Sequence, residues 1–188
     1  MELDRTDIRL LNELQQDGRR SVVELAETVG LTHTPCARRI RQLERAGIIQ
    51  GYAAIVDPAR LGLSVQAFVQ VRLERHTDEN VEQFHRALES LDEVVACFAT
   101  TGAHDFMLHV VAADLESFGT LVLRKLLKLP GVRDVQSSLV LDTLKRSARI
   151  PLSHLLPQAK LDPGDAALFD PRNRGASPRS NKKGSVPS

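Results

Sequence analysis

Apolar residues recur at helical spacing through the first quarter of this chain and alternate with polar ones through much of the remainder. Ile8, Leu11 and Leu14 form a stripe at i, i+3, i+6, which predicts a helix from Leu3 to Asp17 with Asp4 as its cap and Gly18 as its stop. Leu25, Ala26 and Val29 predict a second, shorter helix, opened by Ser21 and closed by Gly30, because glycine enters the left-handed region cheaply. Leu31 fills the corner. Thr32 then caps a third helix whose first turn accepts Pro35 without losing a needed N–H. The run IIQGYAAIV leans toward strand and predicts a short strand or wing that Asp57-Pro58 ends, and PARLG follows as a junction.

From Val65 to Glu74 the alternation is regular, with Val65, Ala67, Val69, Val71 and Leu73 on one side, as in a half-buried strand. Thr77 caps a helix with Val81, Phe84, Leu88 and Leu91 inward. Strands follow over EVVACFATT and DFMLHVVA, separated by Gly102-Ala103-His104. Asp114 opens a helix running to Leu129, with Phe118, Val122, Leu126 and Leu129 inward, and a strand from Val132 to Lys145 closes the series. The order β-α-β-β-α-β is ferredoxin-like. Its helices cover one sheet face, so the other requires a cover, most economically a second copy. The fold class expected is α+β: an N-terminal, winged helix-turn-helix domain over residues 1–62 and a ferredoxin-like domain over 63–150. Residues 151–188, rich in Pro, Gly, Ser and Asn, read as a disordered tail.

The third helix carries the chemistry. With Arg38 at zero on a wheel of about 100° per residue, Thr34, Arg41 and Arg45 fall within roughly 60° of it. Cys36, Ile40 and Leu43 fall on the opposite side. Four arginines face a lone Glu44 there, while the first sixty residues carry nine basic and nine acidic side chains. Arginines along a helix are ordinarily a solvated face. Here the preceding helix, the Gly30-Leu31 corner and the cap supply the context of a helix-turn-helix, which places such a face in a major groove. Thr34 and Arg38, with His33 beside them, suit base edges. Arg39, Arg41 and Arg45 suit phosphates, with Arg41, on the same face as Arg38, open to either role, and Ser21 with Arg19 and Arg20 suits the backbone at the preceding helix. Thr32 and Gln42 complete the DNA-binding candidates.

Composition adds bounds. Hydrophobic residues make up 42% of 188 and aromatics 4%, with no Trp, so the core is aliphatic. A net charge of +1 does not announce nucleic acid, which leaves local patterning to carry that argument. Cys36 and Cys97 read as buried small hydrophobes in a reducing compartment. No run approaches the roughly 20 apolar residues of a membrane span and no signal peptide opens the chain, so a cytoplasmic protein without membrane association is expected. The six histidines, His33, His76, His85, His104, His109 and His154, lack metal spacing. No nucleophile–base arrangement, P-loop or GxGxxG occurs, so neither enzyme, metal site nor cofactor is expected.

The stretches LDRTDIRLLNELQQDGR and VELAETVGLTHTPCARRIRQLERAGIIQGYAAIVDPARLG, and the rest to about Lys145, closely resemble the Lrp/AsnC family of bacterial and archaeal transcriptional regulators. The resemblance implies a second helix of the motif that enters the major groove of double-stranded DNA and a C-terminal sensing domain. It also implies homodimers built sheet to sheet, assembled further into tetramers or octamers. The turn Thr101-Gly102-Ala103-His104-Asp105 matches the place where the family binds a small amino acid between subunits. The family pattern there is Gly-Asp-x-Asp-Tyr. This chain keeps Gly102 and Asp105 but has Ala103 and Phe106 at the other two positions. Gly102 would let backbone N–H groups approach a carboxylate, and Asp105 would pair with an α-ammonium. The competing class is an amino-acid-sensing oligomer that acts through protein partners without binding DNA.

Overall fold

The first two helices begin where a side chain satisfies the N–H groups that no preceding turn can reach. In the computed structural model, which describes residues 2–75, 77–147 and 149–155, helix α1 (Arg5–Gln16) opens on a reciprocal cap. The Asp7 N–H donates to Asp4 Oδ1 at 2.9 Å, and the Asp4 N–H donates to Asp7 Oδ2 at 3.1 Å. Helix α2 (Val22–Val29) repeats the device, with Ser21 N–H donating to Glu24 Oε2 at 2.7 Å and Glu24 N–H donating to Ser21 Oγ at 3.3 Å. Gly30, at φ 72°, ends it, and the Leu31 N–H returns to the Ala26 carbonyl. Helix α3 (His33–Arg45) follows an extended Thr32. The Thr32 side chain makes no capping hydrogen bond, so the expected cap is one of backbone geometry alone.

The three helices close on Leu10, Leu25, Ala26, Val29, Cys36 and Ile40, with Leu14, Val22 and Leu31 at the margin. Leu10 is fully buried although the i, i+3, i+6 stripe passed over it. Its partner at i+4, Leu14, lies on the same turn face, while Ile8 and Leu11 are buried on the neighbouring flank. An ion pair between Arg20 and Glu13 ties the α1–α2 corner to α1.

The expected wing is absent: none of the described residues between 48 and 57 is in a strand. A strand needs a ladder partner, and a single copy offers this stretch none. Ile55 and Val56 stand in solvent, 81% and 57% exposed. Tyr52 instead folds back. Its ring leaves only 3.2 Å to a Cβ built on Gly18, and its hydroxyl donates to Glu44 Oε1 at 3.1 Å. Burial, then the Glu44 carboxylate, pushes the phenol's pKa up.

The second compact unit spans Ile55–Arg146, while the described residues 147 and 149–155 join the unit that ends at Ala54. The break thus precedes the expected junction at Gly62. The side-chain amide of Gln15 brackets the backbone of Ile150, accepting from its N–H at 2.6 Å and donating to its carbonyl at 3.2 Å. A short 3-10 turn, Ser153–Leu155, lies at the start of the expected tail; residues 156–188 of that tail lie outside the described residues.

In the second unit, β1 (Val65–Leu73), α4 (Asp78–Leu88), β2 (Val94–Ala99), β3 (Phe106–Ala112), α5 (Leu115–Thr120) and β4 (Val132–Leu139) follow in order. The sheet is antiparallel in the order β2-β3-β1-β4. Ala67, Val69, Val71 and Leu73 of β1 meet Leu108 and Val110 of β3 and Phe84 and Leu88 of α4 on the covered face. Phe84 stacks on Phe106 at 4.8 Å between ring centres. The opposite face carries exposed Phe68 and Phe98, and Phe68 stacks on His109 at 5.2 Å. Burial, then the Arg146 charge, holds the His109 pKa below its ordinary value.

Two expectations are corrected. The helix expected to run to Leu129 is α-helical only over α5. It loosens into a π turn at Leu121–Lys125 and tightens into a 3-10 turn at Leu126–Lys128. The π turn's bond from Leu126 N–H to the Leu121 carbonyl spaces the buried pair Leu121 and Leu126 five residues apart, so a 3.6-residue period selected Val122 in place of Leu121. Cys97 is exposed rather than buried. It sits opposite core Leu108 but on edge strand β2, which has a neighbouring strand on one side only. Cys36 is fully buried, as expected.

Candidate nucleic-acid interface and effector turn

Burial of Cys36, Ile40 and Leu43 fixes which side of α3 faces away from its own core. Thr32, His33, Thr34, Arg38, Arg41, Gln42 and Arg45 are all exposed. Among the described residues, no ion pair or hydrogen bond engages the guanidinium groups of Arg38, Arg41 or Arg45. Thr34, Arg38, Arg41 and Arg45 thus form one open basic row along about three turns, a length that fits a major groove.

Two arginines grouped with them are otherwise engaged. The Arg39 guanidinium donates to Asp4 Oδ2 at 2.6 Å and to Asp7 Oδ1 at 2.8 Å, which takes it out of the expected phosphate set. Its phase explains the departure: 100° round from Arg38, it points at the start of α1 rather than outward. Hydrogen bonds to Asp7 and then Asp4 raise its pKa. Desolvation pushes the Asp4 carboxyl up, yet the Asp7 N–H and the Arg39 guanidinium outweigh it and the net shift is downward. Arg20, expected at the DNA backbone, is bound by Glu13 and by Thr28 Oγ1 at 2.7 Å. Ser21 is exposed, and its hydroxyl is engaged by Glu24, donating to Oε2 at 2.8 Å. The Ser21 hydroxyl, then its N–H, lowers the Glu24 pKa.

The second candidate site is the β2–β3 turn. Gly102 adopts φ 117°, outside the range of ordinary L-residues, and a Cβ there would meet nothing within 4 Å. The Thr100 N–H donates to the Asp105 carbonyl at 2.9 Å and the Thr100 hydroxyl to the His104 carbonyl at 3.2 Å, pinning the loop at both ends. An open depression of about 790 Å³ lies beside it, lined by Gln70, Ala99, Thr100, Thr101, Ala103, His104 and Met107. Three of the expected effector residues, Thr101, Ala103 and His104, line it. Gly102 shapes the turn without lining the depression. Asp105 does not line it either: its Oδ2 accepts the Leu73 N–H at 2.7 Å. Gln70 and Met107, missed in the sequence, are cross-strand partners on the outward face of β1 and β3. The two-residue period of β1 already placed Gln70 outward; only the pairing brings Met107 beside it.

Among the described residues no group of His, Cys, Asp or Glu is arranged to hold a metal, and no helix is long and apolar enough to cross a membrane.

Family models match in two blocks: an AsnC-type helix-turn-helix domain over residues 3–44 and an Lrp/AsnC ligand binding domain over residues 66–150. The chain is 42% identical over 149 residues to the leucine-responsive regulatory proteins of Salmonella typhimurium and Escherichia coli K12, covering 79% of this chain and 91% of each relative. Among solved structures, a transcriptional regulator from Neisseria meningitidis in complex with L-Met superposes with a TM-score of 0.79 at 44% identity, covering 82% of this chain and 99% of that one. Escherichia coli AsnC superposes with a TM-score of 0.73 at 25% identity, covering 79% and 99%.

Proposed function

Since the chain belongs to the Lrp/AsnC family of transcriptional regulators, and so regulates transcription by binding DNA, we propose that α3 reads the major groove and that the β2–β3 turn binds a small amino acid between subunits. In this reading residues 1–62 serve as the DNA-reading part, and residues 63–150 as the effector-binding and oligomerising part. Thr34 and Arg38, with His33 beside them, contact base edges from the N-terminal half of α3, and Gln42 lies a turn beyond Arg38 among the DNA-facing residues. Arg41 and Arg45 contact phosphates, Thr32 approaches the backbone through its N–H, and exposed Ser21 lies against the backbone at the start of α2. The observation that carries this reading is the open row Thr34–Arg38–Arg41–Arg45 set opposite buried Cys36, Ile40 and Leu43.

The exposed Phe68 and Phe98 on the outward sheet face support pairing with a second copy, sheet to sheet. Two-fold pairing gives pseudo-palindromic operators. The protein acts in the cytoplasm on double-stranded DNA.

For the effector, the Neisseria relative's complex with L-Met and the depression beside Gly102 support an amino acid with an apolar side chain. Thr100, Thr101 and His104 supply polar contacts, Met107 and Ala99 the apolar wall, and no metal or cofactor takes part. Because Asp105 is engaged by β1, the α-ammonium falls to other acceptors such as the Gln70 amide oxygen. The effector regulates by binding one assembly better than another.

Selection of duplexes from a randomised library by the purified chain, read with mass photometry across a panel of the twenty amino acids, tests both parts. A pseudo-palindromic consensus and a shift in subunit count with one or more apolar amino acids are expected. No retained duplex at low salt would refute the DNA reading.

A further inference from the structure

The N-terminal cap of α1 and the flank of α3 share one arginine. Asp4 and Asp7 already satisfy each other's N–H groups, and the oxygens that Arg39 takes are the second one of each carboxylate: Asp4 Oδ2 and Asp7 Oδ1. The Asp7 side chain is only 4% exposed, so its charge sits where an unpaired carboxylate is costly. Arg39 adjoins Arg38 in sequence, so whatever holds one fixes the azimuth of the other. A roll of α3 by about 20° would carry a side-chain tip ~6 Å from the axis through about 2 Å. That displacement is enough to break a base-edge hydrogen bond.

We infer that Arg39 is a positioning residue for sequence-specific DNA binding, clamping the roll of α3 against the Asp4–Asp7 cap so that Arg38 and Thr34 meet base edges. It contacts no phosphate. This rests on the reading of α3 as the DNA-facing helix. Loss of that reading appears as wild-type protein without duplex binding, whereas loss of this inference appears only in the variants.

The clamp and a phosphate contact predict opposite salt behaviour. A lost phosphate contact weakens all duplexes alike and reduces the salt slope by about one. A lost clamp weakens the preferred duplex and leaves the slope unchanged. The acids sharpen the contrast, because removing a negative charge near DNA would, by simple electrostatics, tighten binding.

The test uses the full-length chain, a duplex selected by wild type from a randomised library, and a scrambled duplex of equal length, each titrated across salt. Arg39→Gln and Asp7→Asn should each weaken the selected duplex about tenfold or more, leave the scrambled duplex and both slopes unchanged, and be no worse combined than singly. Asp4→Asn keeps a competent cap and alters a carboxylate that is 51% exposed, so it tests the clamp with less disturbance to the fold than Asp7→Asn at a side chain only 4% exposed. It should also weaken the selected duplex, and Arg39→Lys should restore part of what Arg39→Gln loses. A slope reduced by about one in Arg39→Gln, or tighter binding by Asp4→Asn, would overturn the inference.

Discussion

The backbone N–H of Leu73 donates to Oδ2 of Asp105 at 2.7 Å, at the step where the β1–β4 ladder slips register. The Asp105 N–H in turn donates to the Val71 carbonyl at 2.9 Å, so one residue of the β2–β3 turn finishes the end of the central strand. Leu73 is 4% exposed, and an N–H stranded there has no water to turn to. Asp105→Ala should therefore destabilise the chain by about 1–3 kcal/mol in urea titration. Asp105→Asn, which keeps an acceptor, should cost less. Equal stability of Asp105→Ala and wild type would show that the carboxylate does not hold the ladder.

Gly102 sits at φ 117° with open space where a Cβ would go, so a side chain there meets conformational strain and no clash. Gly102→Ala should cost about 1–3 kcal/mol. A thermal scan of the variant tests this, and an unchanged midpoint would mean that the turn relaxes freely.

Arg38 and Arg45 lie on the same face of α3, two turns apart, Arg38 near its middle and Arg45 at its end. Arg38→Ala should lower affinity and flatten sequence preference, with about 1–3 kcal/mol less discrimination. Arg45→Ala should weaken selected and scrambled duplexes equally and reduce the salt slope by about one. Equal loss of preference from both substitutions contradicts this division.

Leu10 has no exposed surface and joins α1 to α2 and α3, whereas Leu14 lies at the cluster's margin. Leu10→Ala should destabilise the three-helix unit by about 2–5 kcal/mol. Leu14→Ala should cost less, and the order is checked by the midpoints of helical circular dichroism in urea.

Acid should weaken the fold in two stages. His109 titrates below its ordinary value in the folded chain because burial and then Arg146 disfavour its charged form. The unfolded chain therefore takes up that proton first, and stability begins to fall as pH drops below about 6.5. Glu24, held down by Ser21, Asp114, held down by the Ser117 N–H, and Glu93, held down by Lys125, all titrate below ordinary carboxyl values. Their contribution is complete above the ordinary carboxyl range and is lost as pH falls through their depressed folded values. Urea midpoints from pH 8 to 3 follow both stages, and His109→Gln should remove the first alone.

Local chemistry made most of the elements legible. Asp4, Ser21, Thr77 and Asp114 each cap a helix, since a side-chain oxygen two or three residues before an unsatisfied N–H acts whatever the surroundings. The two-residue period of β1 and the split of α3 into apolar and basic sides depend on backbone geometry alone. The features that stayed hidden depend on partners distant in sequence. The stretch 48–57 has strand-like composition but no strand alongside it, so Tyr52 turns to Gly18 and Glu44 instead. The π turn that buries Leu121 breaks the period by which the sequence is read.

By itself, the sequence determined the helix starts, the element order β-α-β-β-α-β, and the phase that sets the arginines of α3 against its aliphatic side, because caps and periodicities are set within a few residues. Tertiary structure alone decided what each polar group in those elements does. Arg39 is drawn to Asp4 and Asp7 from 32 and more residues away, Asp105 to the amide of Leu73, and Gln15 to the backbone of Ile150. A charge or a hydrogen-bonding group answers to whatever the fold places within about 3 Å of it, and that distance is not written along the chain.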